Sequence, residues 1–159
     1  MLTLAGKAMI AASTYYKGKA FFGAALLLRQ RGGNEWVVRH LVGQSIELMC
    51  KAMLLAADFD GYRIKLAKPP YGHNLVKLVA EARGAYGLHE LDRETSGELA
   101  AFNKSYAGHT LRYGGIIDLF HIPSTVPVER LIRKCGITLH VIERRRLFNS
   151  SGEAAWVGG

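Results

Sequence analysis

Apolar residues recur along this chain at three- and four-residue intervals, the spacing of one helix face. No stretch holds the two-residue alternation of a strand. The first helical pattern covers much of residues 3–31, with Phe21, Phe22, Ala25, Leu26 and Leu28 as its apolar stripe. Gly18 and Gly23 weaken it, each by roughly 1 kcal/mol against Ala in a helix interior. The stretch "RQRGGN" ends it, with glycines suited to a left-handed cap. Asn34 is placed to cap a second helix, and Glu35 favours its first turn. That helix runs to about Ala57, and Val38, Leu41, Val42, Ile46, Leu48, Met49, Ala52, Met53 and Ala56 cover most of its circumference. Such a helix is central in a bundle.

"DFDGYRIKLAKPPYG" reads as a loop, because Asp60-Gly61 signals a turn and Pro69-Pro70 blocks a helix. A third helix begins near His73 or Asn74, either of which could cap it, and carries Leu75, Leu78, Val79, Ala82 and Tyr86 at helical spacing. A fourth spans residues 89–113, with Leu91, Thr95, Leu99, Phe102, Tyr106, His109 and Tyr113 along one seam. His109 reads as a hydrogen-bonded core histidine. "IIDLFHIPSTV" is an extended or irregular connection. The last helix starts between Ser124 and Pro127, with Val128, Leu131, Ile132, Cys135, Leu139 and Ile142 facing inward. The expectation is one all-α domain, a five-helix antiparallel bundle over residues 1–149, followed by a mobile tail at 150–159.

Composition narrows the chemistry. With 159 residues, 49% of them hydrophobic, the chain can bury a core without disulfides or metals. Cys50 and Cys135 fall inside apolar patterns, as small hydrophobes in a reducing compartment would. No CxxC or Cys/His cluster is present, so neither a metal nor a cofactor is expected. The formal charge of +8 favours polyanions or an acidic partner. "AFFGAALLL" is too short to span a bilayer. The opening residues lack the basic-then-apolar pattern of a secretory signal, so a cytoplasmic location and no membrane partner are expected. Nucleophile-elbow, Walker-type, HExxH and dinucleotide fingerprints are missing. No basic strip interleaved with aromatics suggests base stacking. The "ERRR" cluster at Glu143–Arg146 reads as a solvated charge run that suits the helix dipole.

One stretch stands out. In "GQSIELMCKAMLL", Gln44, Glu47 and Lys51 share an arc of roughly 60° with His40 one turn earlier. As an exposed edge, the leading reading, it amounts to a Glu47–Lys51 pair in the favourable order, worth about 0.2–0.5 kcal/mol. As a groove or dimer interface, it would bind a ligand or a partner.

The same helix, followed one loop later by "GHNLVKLV", resembles the HEPN superfamily, the higher eukaryote and prokaryote nucleotide-binding domains. Gln44, Glu47, Lys51 and Ala52 match its Q-x-x-E-x-x-x-K-A helix, and His73, Asn74 and Leu75 match its H-[DN]-L helix start. "LRYGG", with Arg112 and Tyr113, is similar to the L-R-Y segment that often follows. The resemblance implies a helical bundle of four or five helices and a homodimer, with His40, Gln44, Glu47, Lys51, His73, Arg112 and Tyr113 as binding or interface residues. Possible partners are RNA, a nucleotide, or a nucleotidyltransferase-type protein in a toxin–antitoxin or defence setting. Many members are metal-independent endoribonucleases with an R-x(4–6)-H motif. Arg133 and His140 fit that spacing loosely on one face of the last helix, about 10 Å apart along its axis. Arg83 and His89 fit it across glycines that break a helix. The leading expectation is a non-catalytic dimer that binds RNA, a nucleotide or a protein. A ribonuclease and a purely structural interaction module are the alternatives.

Overall fold

A computed structural model of the chain describes residues 2–107 and 128–144. Every regular element among them is a helix: α1 (Leu4–Gln30), α2 (Glu35–Ala57), α3 (Phe59–Lys65), α4 (Leu75–Ala85), α5 (Arg93–Ala107) and α6 (Glu129–Arg144). The expected all-α architecture is present, with two corrections; one is that the helix expected from residue 89 begins at Arg93. The other is that residues 58–72 are not all loop, because they hold α3, which makes six helices among the described residues. Asp58 caps it by accepting from the Gly61 amide at 2.9 Å, and Phe59 and Leu66 are buried. The Asp-Gly pair that reads as a turn lies inside this helix. The last helix is described from Glu129, while its expected start at Ser124 to Pro127, the connection before it, His109, Arg112, Tyr113, Arg145, Arg146 and the tail at 150–159 all lie outside the described residues.

The helix ends follow local chemistry. Thr3 caps α1, accepting from the Gly6 amide at 3.1 Å. Asn34 caps α2, accepting from the Trp36 amide at 2.9 Å. Between them Gly32 takes φ of 67°, the left-handed conformation that glycine adopts at least cost. Asp92 starts α5 by accepting from the Thr95 amide and hydroxyl at 2.8 and 2.7 Å.

α1 and α2 form a hairpin. Gly18 does more here than weaken a helix, since a Cβ there would lie 3.0–3.2 Å from Met49 and Leu48. The missing side chain lets the two backbones approach. α2 is the central helix, with Val38, Val42, Ile46, Met49, Ala52, Met53 and Leu54 in the core. Each large apolar side chain buried this way contributes roughly 1.5–3 kcal/mol. α6 lies against α1 through ion pairs from Lys19 to Glu143 and from Arg29 to Glu129. Rising numbers on one helix meet falling numbers on the other, so the two are antiparallel. α4 and α5 are antiparallel as well: Asn103, late in α5, accepts from the Leu75 amide at the start of α4 at 2.8 Å. α4 follows α2 in the same sense, with His73 beside Glu47 and the Tyr86 hydroxyl on the Met53 carbonyl at 3.0 Å.

Candidate functional site

Glu47 sits mid-way along α2 and is 3% exposed. The wet edge expected at this position is therefore not what the fold builds. Its Oε1 accepts from Lys51 Nζ at 2.7 Å. Its Oε2 accepts from the Tyr106 hydroxyl at 2.6 Å and meets His73 Nδ1 at 3.0 Å. Lys51 comes from the next turn of α2, His73 from just before α4, and Tyr106 from α5. One carboxylate thus gathers three elements.

Burial pushes the Glu47 carboxyl up, but the hydrogen bonds from Lys51, Tyr106 and His73 together with the Lys51 charge prevail, and its pKa lies below the ordinary value. An ionised carboxylate only accepts, so His73 Nδ1 must carry the proton that it donates. The carboxylate thereby fixes the tautomer and orientation of His73, as second partners of histidine commonly do. His73 does not cap α4. Asn74 does, accepting from the Lys77 amide at 3.0 Å.

The rest of the stripe turns toward the same place. His40, Gln44 and Lys51 are half-buried, and the His40 ring lies 6.5 Å from that of Tyr106. A Cβ at Gly43 would lie under 3.0 Å from the Tyr106 ring, so the absent side chain seats the tyrosine against α2. Tyr106 is legible in sequence only as a seam residue. Its role depends on a glutamate 59 positions earlier.

The two Arg–His spans are placed differently. Arg83, in the last turn of α4, donates from Nε to the His89 carbonyl at 2.6 Å, and Nη2 donates to the same oxygen. This binds the loop after α4 to its helix, where Gly87 has φ of 60°. The contact involves the His89 backbone, and the His89 residue is exposed. Arg133 and His140 are both exposed on α6, two turns apart. Nothing within the described residues brings their side chains together at hydrogen-bonding distance. Among the described residues, no group of three or more metal-capable side chains converges, and no helix is long and apolar enough to cross a membrane.

A further surface escapes a reading by helical spacing. From Gly61 to Ala80 the chain contains Arg63, Lys65, Lys68 and Lys77 and no acidic residue. Folding sets Lys65 Nζ 5.4 Å from the centre of the Tyr62 ring and Lys77 Nζ 5.7 Å from that of Tyr71, within the range of cation–π attraction. Two cation–aromatic pairs thus lie on α3, its following loop and α4, and beside them the Glu81 carboxylate accepts from the Tyr62 hydroxyl at 2.8 Å. Comparison of the chain with protein-family models, with curated proteins and with solved structures found no match.

Proposed function

We propose that this chain is a non-catalytic, HEPN-like bundle that acts as a dimer and binds RNA through its basic α3–α4 face. The observation that carries the reading is the acid-free run from Gly61 to Ala80, with cations over Tyr62 and Tyr71. Phosphates would meet Arg63, Lys65, Lys68 and Lys77. Engagement of Glu47 by Lys51, Tyr106 and His73 supports a structural role for the residues that resemble the HEPN signature. A nucleotide or a protein partner of the nucleotidyltransferase type, in a toxin–antitoxin or defence setting, would be read by the same face. The resemblance is the source of those partners.

The second reading is a metal-independent endoribonuclease. It is favoured by the exposure of Arg133 and His140 on α6, which leaves them accessible to a second protomer. Labelled single-stranded RNA incubated with the protein in EDTA separates the two. Retention without cleavage, weakened by salt and by Lys65→Gln with Lys77→Gln, supports the binder. Each lost phosphate contact should lower the salt slope by about 1. Retention unchanged in the double variant removes the assigned face. Cleavage that disappears in His140→Ala supports the enzyme. Absence of both leaves an interaction module. A monomer mass by light scattering at micromolar concentration would reject the dimer.

A further inference from the structure

A cavity of about 230 Å³ opens between α2, α4, α5 and α6, walled by Met49, Met53, Val79, Leu99 and Leu131. Its volume exceeds the roughly 150 Å³ that already admits benzene. Most of the wall is apolar, Cys50 included, since burial pushes its thiol up to about 12 and keeps it neutral.

Two cations line the cavity, and they differ. Lys134 lies 3.3 Å from the Asp92 carboxylate. Arg83 spends Nε and Nη2 on the His89 carbonyl, and no carboxylate among the described residues pairs with it. A guanidinium with no carboxylate ion-pair partner among the described residues therefore borders a largely apolar volume. Its planar fork suits a carboxylate. Arg83 also borders a second cavity of about 410 Å³, which Glu90 lines; Glu90 does not line the first. Repulsion from Glu90 favours an anion on the first side.

We propose that this cavity binds a small aliphatic carboxylate, with its chain among Met49, Met53, Val79, Leu99 and Leu131 and its head group at Arg83. The site does not depend on the RNA-binding face. The test uses octanoate, octanol and octylamine on the full chain labelled with ¹³C at its methionine methyls. Octanoate should shift the Met49 and Met53 signals and leave Met9 unmoved, since Met9 is 63% exposed on α1. It should bind at least tenfold more tightly than octylamine. Arg83→Gln should remove most of the preference for octanoate over octanol. Should that variant not fold, the preference of the wild-type protein among the three probes decides. No octanoate binding, equal binding of octylamine, or shifts that spare Met49 and Met53 would each overturn the proposal.

Discussion

Glu47→Gln changes almost no volume yet removes a charge to which three partners among the described residues donate. The amide retains one acceptor oxygen, so it can serve Lys51 on one side or Tyr106 and His73 on the other. One or two charge-assisted hydrogen bonds are lost, at about 1.5–3 kcal/mol each. The expected destabilisation is therefore about 2–5 kcal/mol, a large share of the roughly 5–15 kcal/mol that holds a domain folded. Urea unfolding at pH 7, followed by circular dichroism, should show a lower midpoint with an unchanged slope. The pH dependence supplies a second signature. The folded-state pKa of Glu47 is depressed below its ordinary 4.5. Its contribution should be complete above that ordinary value and should vanish as pH falls through the lower folded value. Wild type and variant should thus converge in acid. Equal midpoints at pH 7, or a gap that persists unchanged well below pH 4, would refute the view that this carboxylate holds α4 and α5 to α2.

Other substitutions probe single contacts. Gly43→Ala forces a Cβ to under 3.0 Å from a fully buried Tyr106 ring and should cost about 1–3 kcal/mol, read as a lower melting temperature. Gly23→Ala, at a site with nothing within 4 Å, should raise the melting temperature through a gain of about 0.5–1 kcal/mol. Asn74→Ala should cost about 1 kcal/mol by freeing the Lys77 amide, and Asn74→Asp should restore most of it in urea titrations. Burial raises the thiols of both Cys50 and Cys135, so iodoacetamide at pH 8 should label them slowly in the native protein and rapidly in urea, as mass spectrometry would resolve.

The long elements were legible because their signals are local. Asn34 caps where it was expected to, Gly32 turns the chain left-handed, and the apolar circumference of α2 matches its central place. α3 was hidden by the Asp60-Gly61 pair and the two prolines, since its stability comes from burying Phe59 and Leu66 beneath other helices. The site was half legible. Gln44, Glu47 and Lys51 share a face by spacing alone, but spacing cannot tell a solvated face from one covered by α4 and α5. The covering groups, His73 and Tyr106, lie 26 and 59 residues away and carry no local mark of their partnership. The Lys65–Tyr62 and Lys77–Tyr71 contacts carry no local mark, because residues 58–72 read as loop and Lys77 belongs to the helix that follows.

Tyr106 is constrained at both ends. Its ring edge rests on the bare backbone of Gly43, and its hydroxyl reaches Glu47 one turn further along α2. The first contact limits how close α5 can come, and the second sets how it is rotated about its own axis. Positions 43, 47 and 106 are therefore coupled: a side chain at 43 strains the tyrosine, and relieving that strain by losing the ring also removes a proton donor to the buried carboxylate.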